Sequence, residues 1–242
     1  PDLQQLIRTA LLQNYDVRVA ASRILQAQSQ VTIARSPMFP TVDGSITGPY
    51  NSYTGSERPS PDSVFQPQAG FGVGWELDFW GRYRRSTEAA QAELLASEDA
   101  QYAVIATLVS DVARTCLTLR ALDLTLEISK RTVSSRKESL DLVQARLDGG
   151  VAGILDLRQA ETLLYTATKT IPEVERQIEQ TENFINILLG QNPGPVKRGR
   201  PLDQQIAAPS LPPGLPTELL TRRPDIRAAE QQLVAANAQI GV

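Results

Sequence analysis

The sequence contains no histidine, and Cys116 is its only cysteine. A His/Cys metal site and an intramolecular disulfide are therefore excluded, and the commonest catalytic base is missing. Cys116 lies in an apolar helical stretch with Val112, Ala113 and Leu117, where a thiol lacking a partner to lower its pKa behaves as a small packing residue. Charge of one sign is also scarce. The 24 basic side chains against 27 acidic ones leave a net charge of −3, too little to steer binding to nucleic acid. No apolar run approaches the ~20 residues of a membrane-spanning helix, and the first residues, Pro-Asp-Leu-Gln-Gln, do not read as a secretory signal. Any contact with a bilayer is then expected through β-strands.

Residues 1–37 are expected to form one helical segment. Leu3, Ala10, Val17, Ile24 and Val31 recur every seven positions, and Pro37 and Pro40 end the run, because proline lacks the amide donor and disfavours a helical residue before it. Residues 41–80 change character: glycine is frequent and no helical period is present. Ala69, Phe71, Val73, Trp75, Leu77 and Phe79 alternate with Gln68, Gly70, Gly72, Gly74, Glu76 and Asp78, the period-two pattern of a strand with one large apolar face and one small or acidic face. A weaker alternation over residues 42–48 marks an earlier strand. The polar residues 54–64 read as the loop of a long β-hairpin.

From Arg82 to Asp148 there is neither proline nor glycine, and Ile105, Val112, Leu119, Leu126, Val133, Leu140 and Leu147 occupy successive heptad positions. That is a coiled-coil pattern, and 67 helical residues would reach on the order of 100 Å. Gly149 and Gly150 end the run. A return series follows in Leu157, Leu164, Ile171, Ile178 and Ile185, with Ala160, Ala167, Val174, Thr181 and Leu188 three residues on. Residues 82–190 are thus expected to form a coiled-coil helical hairpin with its tip at 149–156. Pro172 is expected to kink or break the return arm. Residues 191–216 read as an irregular connector and 217–242 as a further amphipathic helix.

That last helix repeats the first. A shift of 209 places Asp16 on Asp225, Arg18 on Arg227, Ala20 on Ala229, Ala27 on Ala236 and Gln30 on Gln239, while the apolar frame is kept. A long internal duplication is expected, with its second copy interrupted just as it begins.

Three segments carry a resemblance that extends over essentially the whole chain: Trp-Glu-Leu-Asp-Phe-Trp-Gly-Arg at 75–82, the turn Gly-Val-Ala-Gly-Ile-Leu-Asp at 150–156, and the segment 214–242 around Thr-Arg-Arg-Pro-Asp-Ile-Arg-Ala-Ala-Glu. In these the chain resembles the TolC-like outer-membrane efflux factors, in the lipoprotein branch that serves resistance-nodulation-division pumps. The resemblance implies a mainly α chain with a β-hairpin: a long antiparallel coiled-coil α-hairpin plus two strands of a trimeric outer-membrane β-barrel. It implies an exit duct for toxic small compounds, located in the outer membrane of Gram-negative cells and reaching into the periplasm. The implied partners are two further copies of the full-length protein, a periplasmic adaptor (membrane fusion) protein, an inner-membrane resistance-nodulation-division pump and outer-membrane lipid. The family's lipid-bearing cysteine would precede residue 1. Cys116 stands where an aromatic residue is usual, and Gly153 where serine is frequent.

On this resemblance the adaptor-docking tip comprises Gly149, Gly150, Val151, Ala152, Gly153, Leu155 and Asp156. The apolar row Phe71, Val73, Trp75, Leu77 and Phe79 suits lipid, with Gly70, Gly72, Gly74, Glu76 and Asp78 toward a wet lumen, so the first five are expected as the lipid-facing barrel strand; a β-hairpin packed on a soluble core would need an apolar face too. No catalytic residue, metal or cofactor is expected. No nucleophile and base pair stands out, and Asp156 and Glu161 read as coiled-coil surface charges. The alternative reading is a soluble, elongated coiled-coil scaffold that binds protein partners through its hairpin tip.

Overall fold

A computed structural model describes residues 2–48, 67–201 and 216–242. In chain order the elements are α1 (Asp2–Gln13), α2 (Tyr15–Arg35), a 3-10 turn (Ser36–Met38), β1 (Thr41–Thr47), β2 (Gln68–Gly74), α3 (Arg82–Asp148), α4 (Ile154–Leu189), α5 (Pro216–Arg222) and α6 (Pro224–Gln239). The chain is mainly α with one two-stranded antiparallel sheet. The expected loop at 54–64 and most of the connector lie outside the described residues.

Two compact units are present. The first joins Pro1–Ala21 to Gln101–Leu219. Its core draws Ala10 from α1, Leu108, Val112 and Leu119 from α3, Val174, Ile178, Ile185 and Leu189 from α4, and Val196 from the connector. Val112 and Ile185 are fully buried, each worth roughly 1.5–3 kcal/mol over exposure. Two charge contacts give the hairpin register. Lys130 Nζ is 3.7 Å from Glu175 Oε1, and Arg198 binds Asp123 on α3 and Glu182 on α4 together. Both pairs of positions are centred on the Ala152–Gly153 bond, as an antiparallel hairpin requires.

The connector is strapped across this hairpin by polar contacts. Val196 N–H donates to Glu182 Oε1 at 2.9 Å, and Asn186 Nδ2 to the Gly194 carbonyl at 2.6 Å. Arg120 donates to the carbonyls of Gly199 and Arg200 at 3.0 Å.

The second unit joins Ser22–Ala100 to Leu220–Val242. It holds the sheet, the opening of α3 and helix α6. Ala89, Ala92 and Ala96 of α3 and Ala228, Ala235 and Ala238 of α6 are buried, small side chains that permit close approach of backbones. Asp99 of α3, itself buried, accepts from Arg227 Nη2 of α6 at 2.9 Å.

Four expectations need correction. The first helix is interrupted at Asn14, whose Oδ1 accepts the amides of Asp16 and Val17 and so caps a new helix. The last helix is interrupted at Arg223, held extended before Pro224 at φ −80°, ψ 120°. Pro172 does not break α4, which runs through it. Pro172 and Thr168, whose carbonyl loses its helical donor, are both exposed, so water can satisfy that carbonyl, while Val174 and Ile178 anchor the following turns. Finally, α3 is by length and composition apolar enough to cross a membrane, contrary to the reading of the sequence. Its Leu108, Val112 and Leu119 are instead taken up by the core.

Candidate functional site

Two exposed regions carry the residues singled out from the sequence. The first is the hairpin tip. Gly150 takes φ +71°, which glycine adopts without a Cβ penalty. Its N–H donates to the Leu147 carbonyl and that of Val151 to the Arg146 carbonyl, both at 2.9 Å. This paired closure is the Schellman arrangement. Gly153 then opens α4 in an extended conformation, and its N–H donates to Asp156 Oδ2 at 2.9 Å. Glycine has no side chain to return the bond, so only the acidic half of a capping box is made.

These two caps turn the chain within five residues and leave a small apolar knob. Val151 is 83% and Leu155 67% exposed, with Ile154 exposed beside them. Ile154 falls within the turn motif at 150–156 but was not among the expected docking residues; as the first residue of α4 it lies outside the heptad frame that begins at Leu157. The carboxylates nearby have structural partners: Asp156 caps α4, and Glu161 binds Arg158 at 2.8 Å. That hydrogen bond holds the Arg158 guanidinium above its ordinary pKa.

The second region is the sheet. Paired residues of antiparallel strands share a face. The register couples Val42 with Val73, Gly44 with Phe71 and Ile46 with Ala69, whereas Thr41, Asp43, Ser45 and Thr47 pair with Gly74, Gly72, Gly70 and Gln68. One face is therefore apolar and the other polar or bare. Phe71 is 88% and Val73 73% exposed, and every residue of both strands is exposed. The Phe71 ring lies over Gly44, 3.6 Å from where a Cβ would stand. Sequence alternation had marked this apolar row, and the register adds Val42 and Ile46 to it.

The row is shorter than the alternation implied. Trp75, Leu77 and Phe79 lie beyond β2, which ends at Gly74. The pairing strand begins at Thr41, just after Pro40, so residues 75–79 have no ladder partner. Their polar groups turn elsewhere. Trp75 Nε1 donates to the Met38 carbonyl at 3.2 Å, and Tyr83 Oη donates to Glu76 Oε2. Asp78 accepts the amides of Tyr83 at 3.3 Å and Arg84 at 3.0 Å, an N-terminal cap of α3. Glu76 and Asp78, expected on a lumenal strand face, are thus engaged at the start of α3. Gly81 makes the entry turn at φ +81°. Trp80, 96% exposed, belongs to the motif at 75–82 but not to the apolar row, because it falls out of phase with the alternation.

Among the described residues no group of three or more His, Cys, Asp or Glu side chains could hold a metal ion.

A family model described as outer membrane efflux protein matches residues 6–191. The chain is 37% identical over 244 residues to the toluene efflux pump outer membrane protein TtgI of Pseudomonas putida, covering 100% of this chain and 52% of that protein. It is 30% identical over 240 residues to the cation efflux system protein CusC of Escherichia coli, covering 99% and 51%. Among solved structures, the outer-membrane channel OprN matches with TM-score 0.83 and 31% identity over 100% of this chain and 55% of that one. The open state of the Neisseria gonorrhoeae MtrE outer membrane channel matches with TM-score 0.81 and 32% identity over 100% and 54%. The chain spans about half the length of the relatives it matches, and it belongs to the outer membrane efflux protein family.

Proposed function

We propose that the protein carrying this chain is the outer-membrane channel of a tripartite efflux pump, a passive duct through which drugs or other toxic small compounds leave the periplasm. The observation that carries this reading is the sheet. Its strands expose Val42, Ile46, Phe71 and Val73 on one face and glycine or polar residues on the other, which suits lipid on one side and water on the other. A two-stranded sheet has two unpaired edges, and a bilayer tolerates none. Strands from further copies close them into a barrel, and the assembly is a homotrimer. The helices at 1–37, 82–190 and 217–242 form the periplasmic tunnel wall, with 191–216 at its equator.

The tip at 149–156 docks the periplasmic adaptor, which joins the duct to an inner-membrane resistance-nodulation-division pump. That pump supplies the energy, so no catalysis is required of this protein. The small residues Gly149, Gly150, Ala152 and Gly153 allow close helix approach, and Val151 and Leu155 supply apolar contact. A lipid anchor ahead of residue 1 belongs to the same reading; labelling with radioactive palmitate tests it. Exported compounds are taken to be of the classes that the names of relatives give, toluene and cations.

The test is membrane fractionation followed by an efflux assay. The protein should sediment with outer membrane and resist extraction by salt; release by salt would favour the soluble coiled-coil scaffold instead. Val151→Glu should abolish resistance to exported compounds while the trimer persists, because Val151 makes no core contact. Normal resistance in that variant would refute docking at the tip.

A further inference from the structure

An apolar cavity lies within the first unit, where α1, α3 and the connector meet. Leu119 and Val196 are buried and form its floor, whereas Leu3 and Leu117 are exposed and stand at its mouth. Leu6 and Cys116 complete the wall. Among the described residues no buried side-chain polar atom lacks a hydrogen-bond partner, so nothing in this space calls for an ordered water.

The mouth is cationic. Arg120, Lys197, Arg198 and Arg200 line it against one carboxylate, Asp2. Arg120 directs its three nitrogens to Asp123 and to the carbonyls of Gly199 and Arg200, and Arg198 bridges Asp123 and Glu182. These two guanidiniums therefore shape the rim. Lys197 is held more loosely. Its side chain is exposed and its Nζ stands 3.6 Å from Asp2 Oδ1, beyond the usual length of a hydrogen bond.

Size decides what such a cavity can take. An apolar cavity of about 150 Å³ encloses a benzene ring, and this one is about 60 Å³, room for a few carbons of a slender chain but not for a ring. The rest of any guest must lie in the mouth, among the cations. We propose that the cavity binds an alkyl carboxylate, whose tail passes Leu3 and Leu117 to reach Leu119 and Val196 and whose head group meets Lys197 in place of Asp2. The bound molecule touches α1, α3 and the connector together, so it tightens the strap that the connector makes across the hairpin. The site is built by the first unit alone and is independent of the sheet.

The test is calorimetric titration of the full-length protein, held in amphipol, with straight-chain carboxylates from butanoate to decanoate. Each methylene that enters the cavity should tighten binding about fourfold, and the gain should stop once the cavity is full. Cys116→Phe puts a ring into the space and should weaken binding by roughly tenfold or more. Lys197→Gln, a change at an exposed side chain that does not disturb the core, should weaken the carboxylates several-fold yet leave alcohols of equal length unchanged. Asp2→Asn removes the competing carboxylate and should tighten them. Affinity that keeps rising with chain length, in the unaltered protein and in Cys116→Phe alike, would mean partition into the amphipol and would overturn the site. So would a Lys197→Gln variant that binds carboxylates as before, or that loses carboxylate and alcohol equally.

Discussion

Asn14 donates from Nδ2 to the carbonyl of Leu188 at 2.9 Å, across 174 residues of sequence. The same side chain accepts the amides of Asp16 at 2.8 Å and Val17 at 3.2 Å through Oδ1. One buried amide thus caps α2 and satisfies a terminal carbonyl of α4. Asn14→Ala removes both services and should destabilise the first unit by about 2 kcal/mol, read as a lowered midpoint of thermal or denaturant unfolding. Asn14→Asp keeps the cap but sets a carboxylate against the Leu188 carbonyl, and should be no better. If Asp restored full stability, the bond to α4 would carry no weight.

Gly190 closes α4 at the same place. It takes φ +67°, and a Cβ there would stand 2.5 Å from the Gln13 carbonyl oxygen. Gly150 has a similar φ of +71° but nothing within 4 Å of such a Cβ. The pair separates conformational strain from steric exclusion. Gly150→Ala should cost about 1 kcal/mol from the left-handed backbone alone. Gly190→Ala must also displace α1, so it should lower the unfolding midpoint markedly more. Equal effects would mean that the α1 contact yields without resistance.

Much of this architecture was legible because it is local. A stretch without proline or glycine between Arg82 and Asp148 marks one helix, and alternation around Phe71 marks a strand. What the sequence hid was set by distant partners. The break at Asn14 depends on Leu188, and the end of β2 at Gly74 depends on where Pro40 lets β1 begin. One hidden feature could have been recovered. The offset of 209 carries Tyr15 onto Pro224, so a start signal visible in the second copy marks the break in the first: α1 and α2 separate at Asn14, α5 and α6 at Arg223. At the tip, the paired glycines marked a turn, whereas Ile154 joined the exposed knob only through the geometry of the cap. Trp80 was visible in the motif at 75–82, but alternation assigns it to the opposite face from Trp75, so its exposure beside that residue was not.

Arg198 spans the two arms of the hairpin. Its Nε and Nη2 reach the two Asp123 oxygens at 3.2 Å each, and Nη1 binds Glu182. Partial burial works to lower its pKa, but the hydrogen bonds to both carboxylates outweigh it and hold the guanidinium above its ordinary value. Only a planar fork can serve both partners. Arg198→Ala should therefore destabilise by about 1–3 kcal/mol, and Arg198→Lys should recover little of the loss, as measured by denaturant unfolding. Full recovery by lysine would reduce the contact to simple charge proximity.

Cys116 borders a small cavity of about 60 Å³ among Leu3, Leu6, Leu119 and Val196. Burial raises its pKa because the thiolate is the form that loses hydration. The folded state therefore favours the neutral thiol. Its contribution to stability is present below the unfolded-state pKa of about 8.5 and is lost as pH rises through the higher folded value. Reactivity follows the same sign. At pH 8 the folded protein should react with a maleimide several-fold more slowly than the protein in denaturant, with the rate still climbing beyond the midpoint of an ordinary cysteine. A lowered midpoint, or labelling at the denatured rate, would instead place Cys116 among activated thiols, and the packing role assigned to it would have to be abandoned.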